Sequence, residues 1–279
     1  VARSKIIPLA AAMFVAVASF VRAETPVRVV SVNVCTDQLL QLLAQPAQIA
    51  SLSPLARDPR SSKLAQEAGA YPQNDGKAES IALQEPDLIV TGLYTAKATT
   101  EMLRSLGHRV EIFPPAYSLD EARDAIARMG GLLGPEAQSR ADSLLAAFDS
   151  RLEALKATPG PRPRVAFYYA LGNTAGSKSL AGDMMAAAGL TNIAIELNRP
   201  YGGALPLEQL ILTDPDLILT GQPYDAPARA TDLLDHPVLK ATGTLREIKS
   251  GASWLCGTPF VLDAVEELVT LRLDWSARQ

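Results

Sequence analysis

A fourteen-residue segment of this chain occurs twice. Glu79-Ser-Ile-Ala-Leu-Gln-Glu-Pro-Asp-Leu-Ile-Val-Thr-Gly92 returns as Glu208-Gln-Leu-Ile-Leu-Thr-Asp-Pro-Asp-Leu-Ile-Leu-Thr-Gly221, with eight positions identical and no gap. In each copy an apolar spacing of helical period stops at Pro86 or Pro215, because proline disfavours helix in the residue before it. A leucine-rich and β-branched run follows and ends in Thr-Gly. Each copy therefore predicts a short helix, a tight turn and a buried strand. The copies share their register and lie 129 residues apart, near half the chain. Two similarly built α/β lobes explain that spacing better than one large core does.

The remaining segments alternate in the same way. Val27–Val32, Ile49–Leu52, Val110–Phe113 and Arg164–Tyr169 read as strands, and Asp37–Leu43, Thr99–Leu106 and Ser179–Ala188 as helices. Ala230–Asp235 reads as a loop or short helix, and Thr258–Arg272 as the closing helix. Such alternation predicts Rossmann-like lobes with mainly parallel central sheets covered on both faces. Between the lobes, Ser118–Leu132 reads as a helix broken at Gly134. Pro135 starts a longer one, being well placed at a first helical position. Ala141, Leu144, Leu145, Phe148, Leu152 and Leu155 keep a helical stripe along it, over roughly 34 Å at 1.5 Å per residue. The expected organisation is a first lobe over 24–134, a connecting spine helix over 135–157 and a second lobe over 158–279.

The first residues read differently. Arg3 and Lys5 precede an uncharged apolar run from Ile6 to Val21, and Val21 and Ala23 fit the −3 and −1 positions of a cleavage site. The run is too short for a membrane span, which needs roughly 20 residues. Residues 1–23 are therefore expected to be a cleaved signal peptide and the mature chain periplasmic. Its removal takes the net charge from −4 to about −7. An acidic chain without a basic cluster lacks the counterion-release term behind nucleic-acid binding. Two cysteines and two histidines are too few for a protein-built zinc or iron–sulfur centre. Any metal is expected to arrive inside its own ligand, so the chain itself needs no cofactor.

Several stretches carry a family resemblance: Val29-Val-Ser-Val-Asn-Val-Cys-Thr-Asp-Gln-Leu-Leu40, Ser51-Leu-Ser-Pro54, the two repeat copies, Gly176-Ser-Lys-Ser-Leu180 with Ala188-Gly-Leu-Thr-Asn-Ile193, and Trp254 to Pro259. In this order, over 27 to 275, the chain resembles the helical-backbone class of periplasmic binding proteins, which serve ferric-siderophore, haem and cobalamin importers. The resemblance implies a metal-chelate carrier, a ferric siderophore or cobalamin being the expected ligand. The implied partner is an ABC importer permease dimer with its ATPase subunits, and the carrier itself is expected to be monomeric. It also implies a cleft between the lobes, lined by loops at the carboxyl ends of the strands, as in open α/β sheets generally. That rule selects Cys35, Thr36, Arg57, Tyr94 and Tyr117 from the first lobe, and Tyr169, Asn173, Tyr201, Tyr224 and Trp254 from the second. Aromatic rings with a polar edge suit a flat or greasy chelate. Because one rigid helix joins the lobes, closure on ligand is expected to be small.

Three further expectations depend on that frame. Cys35 and Cys256 fall on cleft loops of different lobes; they either pair in an oxidising compartment or remain as reduced or ligand-facing thiols. Glu79 and Glu208 open the two repeat copies, and the resemblance implies that they dock onto basic pockets of the two-fold symmetric permease. The bland alternative is a carboxylate favoured at a helix N-terminus. The rival function is a secreted α/β enzyme of hydrolase type using Cys35 as nucleophile. Neither His108 nor His236 is placed as its base, and Gly172-Asn-Thr-Ala-Gly-Ser-Lys-Ser179 has Ser177 where a phosphate-binding loop needs glycine.

Overall fold

The computed structural model describes residues 28–95, 97–156, 158–222 and 229–279. The expected leader, 1–23, and Tyr224 lie outside the described residues. Strands β1 (Val29–Ser31), β2 (Ile49–Ser51), β3 (Leu88–Gly92) and β4 (Val110–Phe113) form a parallel sheet ordered β2-β1-β3-β4. The next strands are β5 (Arg164–Phe167), β6 (Asn173–Thr174), β7 (Thr191–Asn192), β8 (Gly203–Ala204), β9 (Leu217–Thr220) and β10 (Leu245–Glu247). Four of them make a second parallel sheet, β10-β9-β5-β7, while β6 pairs antiparallel with β8. Numbered by order along the chain, the parallel strands of both sheets lie 2-1-3-4. The repeat supplies the third strand each time.

The helices are α1 (Val34–Leu43), α2 (Ala78–Ala82), α3 (Lys97–Ser105), α4 (Leu119–Leu133), α5 (Pro135–Lys156), α6 (Leu180–Ala187), α7 (Ile193–Glu196), α8 (Leu207–Thr213), α9 (Pro237–Ala241) and α10 (Val261–Ser276). The long helix α5 shares its apolar stripe between two cores. Ala137 and Ala141 pack with Val29, Leu88 and Val90 of the first sheet. Phe148 and Leu152 pack with Val165, Leu217 and Leu219 of the second. Burying Phe148 and Leu152 contributes about 1.5–3 kcal/mol each, and with the alanine contacts, joined by partly buried Leu144 and Leu145, both lobes are fastened to one rod. Helix α4 runs antiparallel beside it, with an Arg123–Asp149 fork at 2.6 and 2.8 Å. The close approach requires Gly130, where a Cβ would fall 2.5 Å from that of Ala141.

The repeat is reproduced down to single hydrogen bonds. Asp87 accepts the backbone N–H of Arg28 at 2.8 Å, and Asp216 that of Arg164 at 2.7 Å. Each carboxylate thus satisfies the donor that opens the first strand of its sheet. The same two arginines close the turn: Arg28 donates to the carbonyl of Gln84 at 3.0 Å, and Arg164 to that of Thr213 at 3.0 Å. Glu85 and Asp214 occupy the left-handed region at φ 49° and 47°, one residue before the proline of each copy. Ile81 of α2 packs with Val30 and Ile89, and Leu210 of α8 with Ala166 and Ile218. Both repeat helices therefore cover the sheet face opposite the spine.

Candidate ligand cleft

Parallel strands place all their carboxyl ends on one edge of a sheet, and the two edges meet here through three tethers. Cys35, in the first turn of α1, is joined to Cys256, beyond β10, by a disulfide with the Cα atoms 5.2 Å apart. Arg60, beyond β2, donates to the carbonyl of Gln222, beyond β9, at 3.5 Å. Lys63 lies 3.4 Å from Asp263 at the start of α10. The space between the edges is the candidate cleft. With Cys35 bonded, no thiolate is present there to act as nucleophile.

On the first edge the loops are laced by polar contacts. Asn33 caps α1, accepting from the N–H groups of Cys35 and Thr36, and its amide donates to Thr95 Oγ1 at 2.7 Å. Asp37 is fully buried and accepts from the N–H and hydroxyl of Ser53 at 3.1 and 2.5 Å, tying α1 to the loop after β2. Burial raises its carboxyl to about 6, against the lowering effect of Ser31 and Ser53. Tyr94 and Tyr117 stand exposed on adjacent loops after β3 and β4. The phenol–phenol hydrogen bond with Tyr94, which holds the Tyr117 proton, is the main reason the Tyr117 phenol lies above its ordinary pKa.

The second edge is aromatic. Phe167, at the end of β5, meets Tyr169 edge-on at 5.5 Å between centroids and Trp254 at 5.1 Å. Trp254 is fixed by its indole N–H, which donates to Ser250 Oγ at 2.7 Å. Burial raises the Tyr169 phenol, which donates to the Thr174 carbonyl at 3.4 Å. Tyr201 is exposed and carries Lys178 over its ring at 5.2 Å.

The sequence-selected residues divide accordingly. Tyr94 and Tyr117 lie on the loops after β3 and β4, Tyr169 and Trp254 on those after β5 and β10, and Tyr201 beside Lys178, while Asn173 pairs with Tyr169 and its amide donates to the Ala170 carbonyl at 3.0 Å. Arg57 is exposed but commits a guanidinium nitrogen to the Tyr71 carbonyl at 2.6 Å. Thr36 is corrected: it is fully buried, and its hydroxyl is spent on Ser31 at 2.8 Å and the Asn33 carbonyl at 2.9 Å. The Asn33 cap starts α1 three residues earlier than the sequence reading, so Thr36 turns into the lobe. Phe167, Asn33 and Asp37 were not among the selected residues. An asparagine before an amphipathic run was a legible capping signal for Asn33; Phe167 read only as strand core.

The histidines stand away from this edge: the backbone of His108 leads into the amino end of β4, and His236 Nδ1 caps α9 through Val238 N–H at 3.2 Å. Among the described residues no group of three or more His, Cys, Asp or Glu could hold a metal ion, and no helix is long and apolar enough to cross a membrane. A separate cavity of about 570 Å³ lies at the spine's far end, lined by Leu152, Thr158, Arg162 and Arg272 among others. Arg272 donates there to the Thr158 carbonyl at 2.7 Å, stapling the end of the spine to α10. The absence of aromatic lining sets it apart from the cleft.

Comparison with known proteins agrees with this architecture. A family model described as "Periplasmic binding protein" matches residues 29–249. A cobalamin-binding protein of Halobacterium salinarum is 29% identical over 206 residues, covering 72% of this chain and 55% of the relative. The chain thus spans about half the length of the curated relatives it matches. Among solved structures, the periplasmic heme-binding protein RhuT from Roseiflexus sp. RS-1 aligns with a TM-score of 0.70 at 20% identity, over 89% of this chain and 98% of its own. The periplasmic vitamin B12 binding protein BtuF of Vibrio cholerae aligns with a TM-score of 0.67 at 19% identity, over 91% and 99%. At such identities the structural likeness is one of fold.

Proposed function

From the premise that the chain belongs to the periplasmic binding protein family, we propose that it binds a metal chelate between its two lobes and hands it to an ABC importer. Binding, not catalysis, is the family's activity. The observation that carries the reading is the pair of facing carboxyl edges, each presenting aromatic side chains: Tyr94 and Tyr117 on one, Tyr169 and Trp254 on the other. Such walls suit a large ligand with an apolar body and a polar rim. A ferric siderophore or cobalamin meets that description without demanding a histidine, and cobalamin gains support from the curated relatives.

In this reading residues 1–23 direct export and are removed, and the mature carrier works in the periplasm as a monomer of two lobes, 24–134 and 158–279, on the spine 135–157. The partner is a permease dimer with its ATPase subunits. Glu79 and Glu208, exposed and equivalent in the repeat, are the docking carboxylates; paired sites of this kind steer encounter and fix register. The test is native mass spectrometry with absorbance on protein purified from its host's periplasm. A bound, coloured iron or cobalt chelate in a 1:1 ratio supports the reading. Ligand-free protein that also ignores cyanocobalamin, hemin and ferric hydroxamates overturns it.

A further inference from the structure

Most residues kept in both copies of the repeat have the same job twice, inside the molecule. Pro86 and Pro215 are buried at the turn. Asp87 and Asp216 cap the first strand of each sheet. Leu88 with Leu217 faces the spine-side cores and Ile89 with Ile218 the opposite ones. Thr91 and Thr220 are buried at the strand ends; the glycines are not matched in role, since Gly92 leaves room for the Asn33 amide, which a Cβ would approach to 2.7 Å, whereas Gly221 faces open space. Among the side chains, two identical pairs remain without an internal role that requires them: Glu79 with Glu208, and Leu83 with Leu212.

The leucines are the anomaly. At 85% and 86% they are the most exposed large apolar side chains among the described residues. Each follows its glutamate by four positions, so acid and leucine stand together on one helix face. In α2 the Leu83 N–H donates to the Glu79 carbonyl at 3.1 Å, and Glu208 and Leu212 share α8. Neither glutamate makes a side-chain hydrogen bond or ion pair among the described residues, although the charge of Glu208 is felt by the buried Tyr168 phenol. Both helices cover the spine-remote face of sheets with the same strand order, so the two patches occupy equivalent places in the two lobes.

We propose that Leu83 and Leu212 are matched apolar knobs which, with Glu79 and Glu208 beside them, seat in two equivalent basic-rimmed apolar pockets of one two-fold symmetric partner. Two copies of one patch on one molecule fit a partner that presents one pocket twice, as a symmetric dimer does. The inference rests on the importer reading above, whose permease dimer has that symmetry, and it assigns contact energy to the leucines where that reading used charge alone. Engaging both lobes at once makes the second contact intramolecular, so losing one knob weakens the whole complex.

The test places the photo-crosslinker p-benzoylphenylalanine at position 83, at position 212, or at Leu273 on α10 as control, in the full chain expressed in its host. The expected result is irradiation adducts from 83 and 212 with the same integral-membrane polypeptide, identified by peptide mass spectrometry, and none from 273. Leu83→Ser with Leu212→Ser should lower carrier binding to host membrane vesicles by roughly tenfold or more, the scale of burying an apolar side chain. Chelate bound to the purified variant should be unchanged. Adducts between two copies of this chain, adducts with two different polypeptides, or no membrane-protein adduct from either position would overturn the proposal. Chelate-loaded carrier without adducts removes the docking inference alone; adducts from a carrier that binds no chelate remove the ligand reading alone.

Discussion

The two carboxyl edges share a strand order and a repeat yet are finished in different chemistry. The first is braced by polar contacts from Asn33, Asp37 and Ser53, and its tyrosines stand exposed above them. The second is braced by ring packing among Phe167, Tyr169 and Trp254. The scaffold is therefore indifferent to how its edge is stiffened, and the cleft has a hydrogen-bonded wall opposite an aromatic one. A ligand held there meets adaptable phenols on one side and a preset apolar surface on the other.

The strongest perturbation of that comparison is to separate the edges. Reducing the Cys35–Cys256 bond, or replacing both residues by serine, should cost up to about 5 kcal/mol of unfolding free energy, the scale for closing so long a loop. Urea denaturation with and without reductant measures it. Equal midpoints would mean that the spine alone holds the lobes.

The buried Asp37 should make the first edge pH-sensitive in a way the second is not. Its folded pKa, about 6, lies above the unfolded value, so the native state keeps a proton that the unfolded chain releases. Stability attributable to this group is fully present below about pH 4 and falls as pH rises towards 6. Asp37→Asn should therefore gain up to about 3 kcal/mol at pH 7.5 and nothing near pH 4, at 1.36 kcal/mol per unit of pKa. A gain that does not depend on pH would show that the carboxyl is not desolvated.

Ligand binding should be skewed the other way. Trp254→Ala removes part of a packed wall and should weaken chelate binding by about thirtyfold, whereas Tyr94→Ala, from the freer wall, should cost about tenfold or less. Fluorescence or calorimetric titration with the chelate found in the native protein decides the order. The smallest effect concerns what the lobes share: Asp87→Ala and Asp216→Ala should each cost about 0.5–1.5 kcal/mol, the net worth of one strand-opening hydrogen bond. Costs differing by more than about 1 kcal/mol would break the equivalence of the copies.

These contrasts also mark how far the sequence could be read. The repeat, the β/α alternation and the stripe along α5 are local patterns, and each was legible. Glu79 to Gly92 announces its helix and strand because Pro86 fixes the turn. What escaped depends on residues distant in the chain. Phe167 meets Trp254 only because β9 carries β10 into the same sheet, and no local pattern states that order. Asp37 is buried because Ser53, on another loop, satisfies it. Thr36 turned inward because the Asn33 side chain, not the hydrophobic period, sets where α1 begins.

The central claim is that one ligand touches both edges at once. Hydrogen exchange of the full chain, with and without the chelate recovered from its host, tests it most directly. The account predicts slowed exchange in the loops around Tyr94, Tyr117, Tyr169 and Trp254 together, with α5 unchanged and the radius of gyration constant to within about 1 Å. Protection confined to one lobe, or centred on the cavity around Arg272, would contradict it.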